Sequence, residues 1–341
     1  MPRFNQLYIY QKKYEIIIIK KIKKTMAYTV SGLTTYVDVN KDALIKSVVL
    51  GAEAGDTIPN LAKQLGVKTK ERLNYLDVDP TLQSGQGCGF SAQGSTQFSE
   101  REISTAEFKV NDSWCPDDLL SKFAEYMVKF GANANAEDGM PFEREILGEI
   151  IRKINQKMEK QVWQGDKSGT DLIDGFLTQA LGADSASTVA VSYTAATSAI
   201  SLYEAVKAVI MKIPEEILED AVVFVSPAIF RSLCFELSEK NMYHFKSGEN
   251  GEKIEDSDIV FPGTSVRVHK TYGLSGDKTH IYASAYKNMV YGADLMNDKE
   301  EARLWFSDDD DVYKLKIKWN AGVKTLYPDD VVVLTSTNNL V

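Results

Sequence analysis

The sequence predicts an α+β fold, and three stretches support this prediction. A long helix is expected from Pro141 to about Gln164, because apolar residues recur every four positions from Ile146 to Val162. A buried strand followed at once by a capped helix is expected in "AVVFVSPAIFRSLCFELSEKN". The last part of the sequence is rich in strands. One of them, "VYKLKIKWN", alternates apolar residues with lysines, as antiparallel strands with one polar face do.

The composition is that of a folded protein with an acidic body. Of the 341 residues, 44% are hydrophobic and 26% are charged. The net charge is −9, and the first 25 residues carry +6, so the other 316 residues carry −15. An acidic body is repelled by phosphate backbones, which argues against a protein that reads nucleic acid sequence.

Cysteine usage is that of a reduced, intracellular protein. Cys88, Cys115 and Cys234 are far apart and form no CxxC pair. The sequence therefore predicts neither a zinc knuckle nor a disulfide framework.

The first 25 residues differ in character from everything that follows. "YEIIIIKKIKK" has four consecutive isoleucines, whereas a membrane-spanning helix needs about 20 apolar residues. No cleavage site of a signal peptide follows it. Four consecutive isoleucines also give a helix no amphipathic face for lying on a membrane surface. We therefore expect residues 1–25 to be an upstream extension outside the fold, with Met26 as the working start.

Residues 26–70 are expected to form an N-terminal arm with two short helices. The first is capped by Asn40 and covers "KDALIKSVVLGAE", and the second covers residues 59–65 and ends at Gly66. Neither helix has enough apolar surface to form a core alone, so the arm is expected to pack on something larger.

Residues 71–112 are expected to form a long excursion with a two-stranded ribbon. "LNYLDV" is typical of a strand, and "TQFSEREIST" and "TAEFKV" show partial strand alternation after a segment with four glycines. That segment contains "GQGCGF", but a dinucleotide-binding fingerprint needs a helix after it, and none is predicted there. Long loops in compact chains are usually functional.

Two further helices complete the expected elements. "PDDLLSKFAEYMVKFG" is helical in pattern, starts at Pro116 and ends at Gly131. "LYEAVKAVIMKI" is an amphipathic helix. Ser226 and Pro227 form a cap and first-turn pair, and Ser226 is interpreted as a cap, not a nucleophile, because GxSxG is absent.

Residues that carry chemistry do not cluster in the sequence. His244, His269 and His280 lack metal-ligand spacing. The acidic run "SDDDD" lacks the alternation and the glycine of a calcium loop and is expected to be a solvated turn. No nucleophile, base and orienting group come together. We therefore predict no catalytic residue, no metal, no cofactor and no enzyme activity, but a function through shape and contact.

The order of the expected elements resembles the major capsid proteins of tailed bacteriophages, which have the Hong Kong-type capsid fold. "PFEREILGEIIRKINQKMEKQVWQGD" is similar to the long spine helix of that family and the turn that closes it. "VVFVSPAIFRSLCFELSEKNMYHF" resembles the strand and helix of its axial domain. "NMVYGADL", "LWFSDDDDVYKLKIKWNAGV" and "PDDVVVL" resemble its late strands.

The resemblance implies a division of the chain into domains. Residues 26–70 would be the N-terminal arm, and residues 71–112 the extended loop that reaches over a neighbouring subunit. The peripheral domain would comprise residues 113–170 and 285–325. The axial domain, around the symmetry axis of each capsomer, would comprise residues 171–284 and 326–341.

The resemblance also implies contacts between subunits. Apolar residues of the extended loop, and an acidic turn with basic residues on an adjacent strand or subunit, are the expected contact residues. They are Phe90, Phe98, Ile103, Phe108, Asp308, Asp309, Asp310, Asp311, Lys314, Lys316 and Lys318. Some relatives crosslink subunits through a lysine of this loop, but residues 80–108 contain no lysine. We therefore expect no covalent crosslink there.

The partners implied are further copies of the same chain, in hexamers and pentamers of a virion shell assembled in the bacterial cytoplasm. The short arm leaves room for no fused scaffold, so a separate scaffolding protein, or none, is implied. A portal is a further partner of the family, and the shell would be strengthened by loop and arm contacts or by a cement protein. Packaged double-stranded DNA would meet the inner face without sequence specificity, and no membrane is involved.

Three other interpretations stay open from the sequence. An encapsulin-type nanocompartment shell shares the fold but encloses a cargo enzyme. An α+β enzyme with an unrecognised site would belong to a different class. A surface adhesin is opposed by the lack of an export signal.

Overall fold

The computed structural model describes residues 31–50, 57–79, 81–82, 95–115, 141–193, 201–240, 258–294 and 301–340. The extension at residues 1–25, the glycine-rich segment and the helix expected at residues 116–131 lie outside these ranges. The chain divides into two compact units. The smaller comprises residues 1–41, 111–147 and 302–316, and the larger comprises residues 42–110, 148–301 and 317–341.

Five α-helices are described, and the expected long helix is among them. They are α1 (Ser31–Leu50), α2 (Pro141–Gln164), α3 (Phe176–Leu181), α4 (Leu202–Ile210) and α5 (Pro227–Glu239). The apolar stripe predicted for α2 is a packing face over its second half, where Ile154, Met158 and Val162 are buried. In the first half Ile146 and Ile150 are half-buried, and Leu147 and Ile151 beside them are buried instead.

The helix predicted to begin after Asn40 in fact begins at Ser31, so Asn40 lies inside α1 and is not its cap. The sequence of the first half, "SGLTTYVDV", is rich in residues of weak helix propensity. The helix still forms there, and Val37 is fully buried. Burial of an apolar face outweighs propensity in proteins, which explains why the local sequence placed the start too late.

The prediction of a helix over residues 59–65 was also wrong. A single 3₁₀ turn occupies Ile58–Asn60, and strand β1 (Ala62–Leu65) follows. β1 pairs in parallel with β10 (Met289–Ala293), from Ala62 opposite Val290 to Leu65 opposite Ala293. A partner more than 200 positions away stabilises this strand, and a local pattern cannot reveal such a partner.

A mixed six-stranded sheet forms the core of the larger unit. Its strands are β5 (Val189–Tyr193), β6 (Ala221–Val225), β7 (Asp258–Val260), β8 (Arg267–Lys270), β9 (His280–Ala285) and β13 (Val332–Ser336), in the order β5-β13-β9-β6-β8-β7. α4 and α5 pack on it through a continuous apolar cluster. The predicted cap of α5 is confirmed, because the Ser226 hydroxyl accepts the amide of Ile229 at 3.4 Å.

A second sheet has five strands and contains the longest strand among the described residues. β1, β10, β12 (Val312–Thr325) and β11 (Glu301–Ser307) are neighbours in that order, and β4 (Ala106–Trp114) also pairs with β12. The alternation predicted for β12 is confirmed. Leu315, Ile317 and Trp319 are buried, and the lysines between them are half-buried.

The side chain of Trp163, at the end of α2, is the centre of a buried cluster in the larger unit. Its ring centroid lies 4.9 Å from that of Phe224 and 5.3 Å from that of Tyr282. Its indole nitrogen donates to the Thr57 hydroxyl at 3.0 Å. The buried carboxylate of Glu159 accepts the Thr57 amide at 3.0 Å. The cluster therefore joins α2, the six-stranded sheet and the segment before β1, and hydrogen bonds pair the Trp163 indole with Thr57 and the Thr57 amide with Glu159 inside it.

Candidate functional site

A two-stranded antiparallel ribbon is the most distinctive feature of the larger unit. β2 (Lys70–Asp79) and β3 (Ser95–Ser104) pair along their full ten residues, from Lys70 opposite Ser104 to Asp79 opposite Ser95. At about 3.4 Å per residue the ribbon is about 34 Å long. The strands expected in "LNYLDV" and "TQFSEREIST" are confirmed, and these two strands form the ribbon.

One face of the ribbon base packs on the body of the same unit. Leu73 and Ile103, which lie opposite Arg101 and Glu71, are buried with Val67 and Val290. The side chain of Ile103 lies over Gly292, where a Cβ would come within 2.8 Å of its Cδ1. The base is thus seated in a close apolar contact that needs glycine in β10.

The other face of the base carries two exposed ion pairs. The Lys70 ammonium lies 2.5 Å from the Glu102 carboxylate, and the Arg72 guanidinium lies 2.8 Å from that of Glu100. Exposed pairs of this kind contribute about 0–1 kcal/mol each. They favour the observed register more than they stabilise the fold.

A shielded group of charges anchors the ribbon at its base. The Arg101 guanidinium pairs with the carboxylate of Asp184, and the Lys324 ammonium lies 3.5 Å from that carboxylate. These three side chains expose only 13%, 9% and 19% of their surface. Burial, followed by the charge of Arg101, lowers the pKa of Lys324 against the opposing effect of Asp184.

The connection from β3 to β4 is short and closely packed. Thr105 alone separates the two strands, and a Cβ at Gly322 would come within 2.2 Å of the Ser104 carbonyl. Beyond it, the rings of Phe108 and Trp319 stack with centroids 5.5 Å apart. The ribbon therefore emerges from a fixed point on the second sheet.

The structure places the apolar residues expected at subunit contacts in different surroundings. Ile103 and Phe108 are buried in their own chain, at 0% and 7% exposure. They hold the ribbon base and are not exposed for a neighbour, which differs from the expectation. Phe98 lies in β3 opposite Leu76, in the outer half of the ribbon. Phe90 lies outside the described residues.

The acidic turn between β11 and β12 is exposed, as expected. Asp308, Asp309, Asp310 and Asp311 are all exposed. Asp310 pairs with Lys314 and accepts the Ser307 hydroxyl at 3.1 Å, and the hydrogen bond from Lys314 is the main cause that lowers the pKa of Asp310. Lys318 instead lies 3.1 Å from Glu107 on β4. Lys316 is half-buried on β12.

The charged anchor of the ribbon was not predicted from the sequence. Arg101, Asp184 and Lys324 are separated by 83 and 140 positions, and their contact depends on the tertiary fold. The sequence did contain one signal for this anchor. Alternation along β3 places Arg101 on the same face as the apolar Ile103, whereas the glutamates on either side of Arg101 lie on the opposite face. An arginine on the apolar phase of a strand predicts a buried acidic partner.

The described residues offer no cluster of three or more His, Cys, Asp or Glu side chains that could hold a metal ion. Among the helices of those residues, none combines the length and apolarity that crossing a membrane requires.

Comparison with solved structures finds capsids of phages and of a GTA particle. A chain of the satellite phage P4 procapsid, which includes the size determination (Sid) protein, matches 88% of this chain and 92% of its own length with a TM-score of 0.57 and 11% identity. A chain of Gordonia phage Cozz matches 84% and 88%, with a TM-score of 0.53 and 11% identity. The capsid of the native GTA particle matches 86% and 91%, with a TM-score of 0.50 and 13% identity.

No protein-family model and no curated protein sequence matches this one significantly. The structural likenesses at such low identity carry information on the fold. They extend over more than four fifths of the chain and of each solved chain. The protein therefore has the Hong Kong-type fold of phage capsid proteins.

Proposed function

We propose that this protein is a major capsid protein, a structural protein that assembles into the icosahedral head shell around the double-stranded DNA of a phage. The observation that carries the proposal is a ten-pair ribbon anchored at its base in a capsid-type fold. A two-stranded ribbon alone is marginally stable in water. A neighbouring subunit that covers it would supply the missing contacts.

The proposed domains are those that the family resemblance implies. We assign residues 26–70 to the N-terminal arm, 71–112 to the extended loop, 113–170 and 285–325 to the peripheral domain, and 171–284 and 326–341 to the axial domain. The mixed sheet β5-β13-β9-β6-β8-β7 with α4 and α5 supports the axial assignment, because its strands come from these ranges.

The proposed partners are further copies of the chain, in hexamers and pentamers of a virion shell assembled in the host cytoplasm. A separate scaffolding protein, a portal and a cement protein belong to this proposal. The body charge of −15 supports contact with DNA that is non-specific and limited to locally basic parts of the inner face.

Electron microscopy of the purified full-length protein tests the proposed function. We expect closed shells, tubes or capsomers in samples of the wild-type chain. Native particles from the source of the gene should contain DNA that is protected from nuclease. Particles that enclose a protein cargo and no DNA would favour a nanocompartment shell, and a monomer at all concentrations would contradict a shell function.

A further inference from the structure

A cleft of about 310 Å³ lies at the base of the ribbon, in the larger unit. Its polar lining comes from the start of β2, the end of β3, the loop after α2 and the end of β12. The charged residues of this lining are Lys70, Glu102, Lys167, Asp174 and Lys324. The volume is enough for one or two acidic side chains, and it is at the lower end of the range of small-ligand sites.

The cleft carries an excess of positive charge. Lys70 is neutralised by Glu102, but Arg101 and Lys324 share the single carboxylate of Asp184. The Lys167 ammonium is exposed, and no ion-pair partner for it occurs within the described part of the chain.

Asp174, the remaining acid of the lining, accepts the backbone amide of Lys167 at 2.8 Å. The lining of the cleft therefore has three lysines and two carboxylates. A local excess of this sign is notable in a body whose charge is −15.

The acidic turn at residues 308–311 has the complementary chemistry. It forms the tip of the β11–β12 hairpin. Asp310 is paired with Lys314. For Asp308, Asp309 and Asp311, the described residues supply no ion-pair partner. The turn therefore presents unpaired carboxylates at an exposed tip, where they can enter a cleft on another molecule.

We propose that the cleft at the ribbon base receives the acidic turn of a second copy of the chain, with Asp309 or its neighbours placed against Lys167 and Lys324. The inference rests on the proposed function, because it assigns a contact between subunits of the shell. Opposite potentials at such a contact select the partner and the register of docking. The ribbon anchor and the intersubunit contact would then share one group of charges.

A charge exchange tests the contact. Lys167→Glu and Asp309→Lys should each reduce the yield of assembled particles by about tenfold or more, because each places like charges together at every repeated contact. The double variant should recover the yield to within about threefold of the wild type. Lys212→Glu is the matched control, since Lys212 is exposed at the end of α4, away from the cleft lining, and should assemble normally.

Single variants that assemble like the wild type, or a double variant that is no better than either, would overturn the proposal. Circular dichroism and thermal unfolding of each variant separate a lost contact from a misfolded chain. A folded single variant that fails to assemble, together with a double variant that does assemble, supports the contact.

Crosslinking gives a second measurement that does not depend on closed shells. A chain with Lys167→Cys is mixed with a chain with Asp309→Cys and treated with oxidised glutathione. We expect a disulfide-linked dimer from the mixture and much less from either variant alone, in which Cys88, Cys115 and Cys234 are the background.

The crosslink also separates the two proposals. If the wild type forms no particles, the proposed function fails, whereas a crosslinked dimer from smaller oligomers still supports the cleft contact. Particles without the crosslink would overturn the cleft contact and leave the shell function standing. A crosslink within one chain carrying both substitutions, and none between chains, would also overturn the cleft contact.

Discussion

At the scale of single residues, Asp330 is placed where a carboxylate is costly. It lies half-buried in the 3₁₀ turn before β13, next to Asp329 and near Glu216. Burial is the main cause that raises its pKa, and the two neighbouring acids add to the effect. Its ionised form is therefore less stable in the folded chain than in the unfolded chain.

Asp330→Asn should raise the melting temperature at pH 7 by about 1–2 °C. A carboxyl whose folded pKa is raised weakens the fold once the pH exceeds its unfolded pKa of about 3.9. The gain should therefore be complete at neutral pH and shrink as the pH falls towards 4. Thermal unfolding at pH 7 and pH 4 measures this difference.

Asp308→Asn is the matched control for this prediction, since Asp308 is exposed on the acidic turn. We expect its melting temperature at pH 7 to match that of the wild type. An Asp330→Asn variant that melts below the wild type at pH 7 would show that the carboxylate makes a favourable contact there.

At the scale of elements, the 3₁₀ turn Tyr272–Leu274 fixes the end of α2. Gly273 lies against Trp163, and a Cβ on it would come within 1.9 Å of the indole Cδ1 and 2.8 Å of the Glu159 carbonyl. The Gln164 side chain donates to the Gly273 carbonyl at 2.6 Å. The turn and the helix end are thus a single packed unit that leaves no space for a methyl group.

Gly273→Ala should lower the free energy of unfolding by about 3 kcal/mol, because the added Cβ would overlap the ring of Trp163, which is fully buried. Gly169→Ala is the matched control. A Cβ there meets its nearest atom at 3.5 Å, which is ordinary contact. Urea unfolding, monitored by tryptophan fluorescence, measures the free energy of unfolding of both variants. Equal stability of the two variants would contradict the packing described for Trp163.

The ribbon is a second element that can be tested, because its outer part can be removed while its base stays intact. The described contacts of its base include Arg101 on β3 and Tyr75 on β2, whose ring lies 5.3 Å from that of Tyr327. Tyr75 is directly opposite Ser99. A two-residue Asn-Gly turn can close the ladder at this pair.

A chain in which Asn-Gly replaces residues 76–98 should keep its melting temperature within about 3 °C of the wild type, since the buried base stays intact. It should not form closed shells, because the part of the loop proposed to reach a neighbour is gone. The control is Arg72→Ala with Glu100→Ala, which removes only an exposed ion pair and should assemble. Closed shells from the shortened chain would contradict the proposed role of the ribbon.

At the scale of the whole molecule, net charge should govern assembly. Copies with a body charge of −15 repel each other, and the Debye length falls from about 30 Å at 0.01 M salt to about 10 Å at 0.1 M. We expect shells to assemble best at moderate salt and to dissociate at very low salt. Light scattering between about 0.01 and 0.3 M measures this range, and an unchanged signal across it would show that electrostatics does not control assembly.

The features that were predicted correctly are those with local signals. The stripe of α2, the alternation of β12 and the cap at Ser226 each depend on residues within a few positions of one another. The order of these elements was enough to suggest the capsid fold, which the solved structures share.

The features that sequence reasoning missed depend on distant partners. β1 needs β10, and Arg101 needs Asp184 and Lys324. Ile103 was assigned to an intersubunit contact because it is an apolar residue of the extended loop that the resemblance implies. Its burial against Val67 and Val290 depends on the ribbon folding back over the second sheet. Tertiary contacts of this kind override local preference.

The position of β13 in the six-stranded sheet has a consequence for synthesis. This strand is the last of the sheet in chain order, yet it lies between β5 and β9, with Val332, Val333 and Leu334 buried. A chain still on the ribosome has β5 and β9 but not the strand that joins them, so it cannot close its core. Pulse-labelling with protease digestion should show that nascent chains ending before Val332 are cleaved within the sheet. Only chains that reach the end of β13 would then complete the sheet and resist protease. Prematurely terminated chains would be degraded before they could enter and weaken an assembly of many copies.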